Sequence, residues 1–301
     1  MAVLQKQDIY LIIPVHNRKI ITLRCLQALK HQEDCQHLSI VVVDDASTDG
    51  TVEAIQMYYP DVIILLGDGN LWWTGAIRKG MEFAVSQGAE YLIWLNDDCL
   101  PQPGAIAKLL NVCQASSRTI VGGQAFDPET HQPSYGGLVN RRFNSTPIHA
   151  KPHQLIECDG LNGNLVCLPC SLVEAIGYPN NQRFPHYHGD TAYTHLAKRN
   201  GYKLLLCGDA VSFCKNTNTP ISWFATDRSI NQLWQDRFII KSSHYWKAHL
   251  GFYQEMFGWF GIGIYFYELL IKFLIIAVIK VLIPYRYRAQ LKQFFSRSQA
   301  V

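Results

Sequence analysis

Apolar residues change their period repeatedly along this chain, and the changes outline its elements. The run over residues 9–15 is apolar at nearly every position, as expected of a strand buried on both faces. It ends in Pro14-Val15-His16-Asn17-Arg18, a loop signal, after which Ile21, Leu23, Leu26 and Leu29 predict a helix over 20–30. A β-branched strand over 38–43 stops at Asp44-Asp45-Ala46-Ser47-Thr48-Asp49-Gly50, where Ser47 or Thr48 is expected to cap a helix over 51–59. A strand over 62–66, a helix over 75–87, a strand over 91–95 and a helix over 103–113 continue the alternation. Residues 122–159 are rich in Gly, Pro, Asn and His and predict loops with short strands. A strand and helix within 161–176, a helix over 190–200 and a short strand over 204–206 follow; from Trp223 the chain turns aromatic and helical.

Strands alternating with helices in this way predict an α/β fold, a mostly parallel sheet with helices on both faces. Ligands of such sheets bind beyond the carboxyl ends of the strands. Polar clusters fall at those ends, around Asn17, at Asp44-Asp45 and at Asn96-Asp97-Asp98. No internal repeat or low-complexity tract is present.

Composition narrows the picture. The 301 residues, 48% hydrophobic and 17% charged, are enough for one large domain with an appendage or two modest ones, and exclude wholesale disorder. A net charge of +3 gives no case for nucleic acid, although Arg286, Arg288, Lys292 and Arg297 make a local basic run. Nine cysteines without framework spacing point to reduced thiols and a cytoplasmic setting. The CxxC at Cys167-Leu168-Pro169-Cys170 lacks a second pair for zinc and reads as structural. Residues 1–10 do not show the pattern of a signal peptide.

Asn96-Asp97-Asp98 follows an apolar strand and precedes Cys99-Leu100-Pro101. Carboxylates in such a turn suit a hard divalent cation that bridges to substrate phosphates; the plainer alternative is an Asx turn with solvated carboxylates. The motif has company: LIIPVHNR (11–18), IVVVDDASTDGT (40–51), NLWWTGAIRKG (70–80) and YLIWLNDDCLPQPG (91–104) occur in order. Together they resemble glycosyltransferase family 2, whose members have the GT-A fold, over roughly residues 8–215. The WWTGA-like block and the NDD form of the metal motif look most like bacterial rhamnosyltransferases of surface polysaccharide synthesis.

The resemblance implies a metal-dependent inverting transfer from a nucleotide sugar, dTDP-rhamnose first and UDP-sugars next, with Mn²⁺ or Mg²⁺ as cofactor. Residues 1–215 would be the GT-A domain, with a donor half over 1–115 and an acceptor half over 116–215. Pro14, Val15 and Asn17 would line the nucleobase and ribose pocket with Arg18 nearby. Asp45, supported by Asp44, would accept the pyrimidine N–H, for which a carboxylate is a good partner. Gly75 would let the backbone approach the donor. Asn96 stands where the usual DXD motif has its first acid, which leaves Asp98 as metal ligand and Asp97 beside the ribose or donor sugar. Arg78 either contacts phosphate or is a solvated helix residue.

Asp190, at the end of Phe184-Pro185-His186-Tyr187-His188-Gly189-Asp190, matches the family position of the base that deprotonates the acceptor hydroxyl; its plainer role is a helix N-cap. Within Asp159-Gly160-Leu161-Asn162-Gly163-Asn164, Asp159 either binds a sugar hydroxyl or sits in a plain turn, and the glycines suggest a close backbone approach. His186 and His188 stand either as metal ligands or as surface or acceptor contacts, with His188 assigned to the acceptor side.

Residues 216–301 form the helical tail. Its stretch 257–283 is very apolar yet carries Glu268, Lys272 and Lys280; Glu268 and Lys272 are spaced to pair on one helical face. Trp259, Tyr265 and Tyr267 at one end and Pro284-Tyr285-Arg286-Tyr287-Arg288 at the other suit lipid headgroups. An interfacial helix over 257–288 is favoured over a spanning one, and either over a buried core helix. Such a tail would hold the enzyme peripherally on the inner face of the cell membrane, beside a glycan or lipid-linked acceptor. Two other classes compete: a nucleotide-sugar-binding module without catalysis, and a nucleotidyltransferase, which would need a glycine-rich phosphate loop where Pro14-Val15-His16-Asn17-Arg18 stands.

Overall fold

The computed structural model describes residues 9–141, 144–215 and 229–288. The chain divides into two compact units, 1–215 and 216–301. In the first, the elements run β1 (Ile9–Val15), α1 (Lys19–Lys30), β2 (Ser39–Asp44), α2 (Thr51–Tyr58), β3 (Ile63–Leu66), α3 (Trp72–Ser86), β4 (Tyr91–Leu95), β5 (Cys99–Pro101) and α4 (Ala105–Gln114). They continue with β6 (Thr119–Phe126), β7 (Pro133–Tyr135), β8 (Gly137–Arg141), β9 (Asn144–Ile148), β10 (Leu155–Glu157), β11 (Gly160–Leu161), β12 (Leu165–Pro169), α5 (Ser171–Ile176), α6 (Gly189–Arg199) and β13 (Lys203–Cys214).

The main sheet runs β10-β13-β6-β12-β4-β1-β2-β3, with β5 paired to β13 and β7 to β6. Strands β4, β1, β2 and β3 are mutually parallel, as the βα alternation predicts. The sheet as a whole is mixed rather than mostly parallel. β12 lies antiparallel between β4 and β6, while β13 runs parallel to β6. A fully buried strand shows no alternation from which direction can be read, so the sequence of β12 carries no sign of its reversal. A second sheet of β11, β8 and β9 carries the loop-rich stretch.

Alternate side chains of the central strands feed two cores. Leu11, Ile13, Ile93 and Leu95 pack with Leu26 and Leu29 of α1 and Ile106 and Leu109 of α4 on one face. Ile12, Val41, Val43, Leu92 and Trp94 pack with Ile77 and Met81 of α3, Leu172 of α5 and Tyr193 of α6 on the other. Helices on both faces thus fix the sheet, and the loops after β1, β2 and β4 are left free to meet.

Three local expectations change. The α2 helix starts after Gly50, at φ 79°, and neither Ser47 nor Thr48 caps it. β6 passes straight through Gly122-Gly123, where added Cβ atoms would meet Leu161 at 2.6 Å and the Ala210 carbonyl at 2.7 Å. β13 extends far beyond 204–206 because a register shift between Cys207 and Val211 carries it past Gly208.

The second unit comprises α7 (Ile230–Gln235), α8 (Trp246–Phe257), α9 (Trp259–Tyr267), a π turn over Glu268–Lys272 and α10 (Phe273–Leu282). From α9 to α10 the helix is continuous over Trp259–Leu282, 24 residues whose most apolar 18-residue window has a mean hydropathy of 2.2, long and apolar enough to cross a membrane by length and composition. α10 buries none of its described residues, so the buried-core alternative does not hold for it. Arg286 lies over the Tyr287 ring, whereas Arg288 turns inward, its Nε donating to the Ile283 carbonyl at 2.8 Å. The side chain of Lys272, together with Trp223, Lys292, Arg297 and residues 1–8, lies outside the described residues.

Candidate active site

The loops beyond β1, β2 and β4 converge on the N-terminal end of α3. Asn17 donates its amide N–H to Ser47 Oγ at 2.8 Å and accepts the Thr48 N–H at Oδ1 at 2.7 Å, which stitches the β1 loop to the β2 loop. Pro14 and Val15 are β1 residues paired with Val43 and Asp44, and the Val15 carbonyl accepts the Asp45 N–H at 2.8 Å. Asp45 is buried; one carboxylate oxygen accepts the Gly69 N–H at 2.8 Å and the other the Trp72 N–H at 3.0 Å. Each oxygen retains a lone pair. Asp44 Oδ1 accepts the Ser47 N–H at 2.8 Å, and Oδ2 is buried with no hydrogen-bond partner among the described residues.

In the turn after β4, Arg18 bridges two carboxylates, Nη1 to Asp97 at 3.1 Å and Nη2 to Asp98 at 2.8 Å. Asp97 also accepts from Thr22 Oγ1 at 3.1 Å and is only 2% exposed, so its carboxylate is committed to protein partners. Burial pushes its carboxyl up to about 6 against the opposing pull of Arg18. The Asp98 side chain is 35% exposed and is the accessible carboxylate of the turn. Among the described residues no group of three His, Cys, Asp or Glu is placed to form an all-protein metal cage. One accessible carboxylate fits a divalent cation completed by substrate phosphates, provided Arg18 gives up its bond to Asp98.

Asn96 does different work from an acid. Trp73 Nε1 donates to Asn96 Oδ1 at 2.7 Å, and Asn96 Nδ2 donates to Asn164 Oδ1 at 2.6 Å. The Asn96 backbone N–H also meets the Asn164 carbonyl at 3.1 Å. One residue earlier, the Gly163 N–H donates to Asp190 Oδ2 at 2.7 Å. A Cβ on Gly163 would lie 2.4 Å from the Trp73 ring, so the close approach falls at Gly163. Gly160 is a strand residue of β11, and a Cβ there would meet only ordinary contacts.

Asp190 lies in the first turn of α6, after an N-cap His188 at φ 68°, so it is not the cap itself. Its Oδ1 accepts the Thr191 N–H at 2.7 Å; burial raises its carboxyl above the usual range, partly offset by the Gly163 and Thr191 N–H groups. The segment before α6 rests on the start of α3: the Thr74 N–H donates to the Pro185 carbonyl at 3.0 Å, and the rings of Trp72 and His186 lie 5.8 Å apart. Left-handed non-glycine residues gather here at Asn17, Ala46, Trp72 and His188.

Three candidates are engaged by protein neighbours. Arg78 pairs with Glu82 at 2.8 Å and lies over the Tyr178 ring. Asp159 accepts the Asn140 N–H at 2.7 Å and Lys198 Nζ at 2.8 Å; burial alone would raise its carboxyl, but these partners hold it below the usual range. Gly75 is buried, and a Cβ there would meet Leu71 and Asn181 at 3.3 Å rather than open space. Trp73 and Asn164 carry no motif signal of their own, although both lie inside motif segments, 70–80 and 159–164. Their pairing with Asn96 depends on contacts across 23 and 68 positions, which no local pattern encodes.

A family model described as glycosyl transferase family 2 matches residues 10–162. The chain is 22% identical over 233 residues to the low-salt glycan biosynthesis hexosyltransferase Agl10 of Haloferax volcanii, a match covering 73% of this chain and 75% of that protein. Similar solved structures include GalNAc-T7 with UDP, GalNAc and Mn²⁺, with a TM-score of 0.58 and 13% identity over 69% of this chain and 44% of that one. The present chain therefore spans less than half of GalNAc-T7. Another is the mannosyltransferase PcManGT of Pyrobaculum calidifontis with GDP-Man and Mn²⁺, with a TM-score of 0.54 and 15% identity over 95% of this chain and 84% of that one. These two likenesses show the GT-A-type fold. With the family model running from β1 to the loop just before Gly163, over half of its length, the chain belongs to glycosyl transferase family 2.

Proposed function

We infer that the chain is a metal-dependent, inverting glycosyltransferase that moves a sugar from a nucleoside diphosphate to a glycan or lipid-linked acceptor in surface polysaccharide synthesis. One observation carries the reading. The Asn96-Asp97-Asp98 turn and Asp190 grip adjacent residues of one loop, Asn164 and Gly163, which brings an accessible carboxylate and a buried carboxyl into one region. A lone base suffices for inversion, since the acceptor oxygen attacks as its proton leaves.

In this reading the loops of Pro14, Val15, Asn17 and Asp45 hold the nucleoside, and Asp98 holds Mn²⁺ or Mg²⁺. The cation, when bound, supplies positive charge to the departing diphosphate. Arg18, freed from Asp98, remains beside the phosphates, and Asp190 removes the acceptor proton. Residues 1–115 serve the donor and 116–215 the acceptor. The structural neighbours, solved with UDP or GDP-Man and Mn²⁺, support a nucleotide sugar and a divalent metal, and the Haloferax relative supports hexosyl transfer. The WWTGA and NDD blocks favour dTDP-rhamnose, with UDP-sugars next. The tail over 257–288 docks on the cytoplasmic face of a membrane, as its exposed Trp259, Phe260, Leu274 and Val281 and its aromatic-basic end suit. A thermal-shift panel of nucleotide sugars with and without Mn²⁺ tests the reading. Metal-dependent stabilisation by at least one dTDP- or UDP-sugar is expected, and a flat response across the panel would overturn it.

A further inference from the structure

The indole of Trp73 fixes two amides in sequence. An indole N–H only donates, so the atom of Asn96 that meets Trp73 at 2.7 Å must be its carbonyl oxygen. The other end of Asn96 is then an NH₂, so the Asn164 atom it meets at 2.6 Å must also be a carbonyl oxygen. The chain of donors leaves the Asn164 NH₂ buried, with no hydrogen-bond partner among the described residues, in a residue 9% exposed. A buried donor left unmet is costly and rare in native structures. Asn164 is tied to the Asp98 turn, whose Asn96 N–H donates to its backbone carbonyl, and follows Gly163, whose N–H donates to Asp190. With a diphosphate at the first and the attacked carbon at the second, the group that spans the interval is the transferred sugar.

We propose that Asn164 is a specificity-determining residue that donates a hydrogen bond from its NH₂ to a hydroxyl or ring oxygen of the transferred sugar, with Trp73 and Asn96 as positioning residues that set its orientation. The assignment rests on the glycosyltransferase reading above and deepens it. It also gives a reason for Asn96 in place of an acid. A carboxylate at that position has no N–H to offer Asn164, so the Asn164 amide would turn to donate to it and present its carbonyl oxygen to the sugar.

The test compares binding of UDP and dTDP with binding of their hexose conjugates, UDP-glucose and dTDP-rhamnose, in Mn²⁺ by calorimetry. The wild type is compared with Asn164→Asp and Asn96→Asp, with melting temperatures as a check on folding. Asn164→Asp keeps the oxygen that accepts from Asn96 and replaces the NH₂ by an acceptor; Asn96→Asp reverses the Asn164 amide without touching it. Asn164→Asp is expected to bind the free diphosphate within about twofold of wild type, and both variants are expected to lose about tenfold or more in affinity for the conjugate that wild type prefers. Equal losses for diphosphate and conjugate, or no loss for the conjugate, would overturn the assignment of Asn164. A wild type that binds neither diphosphate nor conjugate would overturn the glycosyltransferase reading and this proposal together.

Discussion

Asp190 accepts the N–H of Gly163 at 2.7 Å, and Gly163 in turn has no room for a side chain because the Trp73 ring occupies that space. The Asp190 carboxylate is therefore held by backbone N–H groups, those of Gly163 and Thr191.

Removing that charge should affect turnover far more than folding. Asp190→Asn retains an oxygen to accept one of the two N–H groups and should lower transfer by about 10²- to 10⁴-fold with little loss of donor binding. Because burial raises the Asp190 carboxyl, the wild-type rate should rise with pH along a limb above the ordinary carboxylate range. Single-turnover rates across pH check both points; near-normal turnover in the variant would place the base elsewhere.

In the proposed reading the metal rests on Asp98. Asp98→Ala, or EDTA added to the wild type, should abolish the Mn²⁺-dependent part of donor binding, and calorimetry with and without the cation reads it directly. Donor binding by Asp98→Ala that still responds to Mn²⁺ would remove Asp98 from the site.

Asp97 predicts a pH dependence of stability in the metal-free protein. Its native carboxyl is raised from 3.8 to about 6, so the folded state binds the proton more tightly than the unfolded chain. The resulting stabilisation, about 3 kcal/mol, is full below the unfolded value near 3.8 and is lost as pH rises through about 6. Urea unfolding in EDTA at pH 4 and pH 7 should show this loss in the wild type, and Asp97→Asn should flatten it.

The exposed face of α10 is open to a separate test. Leu274 and Val278 are 60% and 48% exposed, so Leu274→Glu with Val278→Glu should cost the fold little. If the tail docks on a membrane, each charge costs up to about 2.5–3.5 kcal/mol there, and the protein should shift to the soluble fraction on cell fractionation. Removal of 257–301 should do the same; an unchanged distribution in both variants would dismiss the membrane role.

Strands β1 and β4 were legible to the residue, because long apolar runs end abruptly at polar turns. The loops they position were legible as motifs for the same reason. What escaped was whatever depends on distant partners: the reversal of β12, the passage of β6 through two glycines, and the commitment of Asp97 to Thr22 and Arg18. The Asn96–Asn164 pair escaped most completely, since nothing local to either asparagine distinguishes an amide that links loops from one that faces water.

Asn17, Ala46, Trp72 and His188 adopt backbone angles that side chains disfavour. Selection for heat resistance alone should therefore find glycine at Ala46 early, since that exchange relieves about 1 kcal/mol of backbone cost, less what the looser unfolded chain takes back. A laboratory lineage chosen only for endurance would drift toward a robust but blunt catalyst, and screening for turnover at every round is what would keep its loops in register.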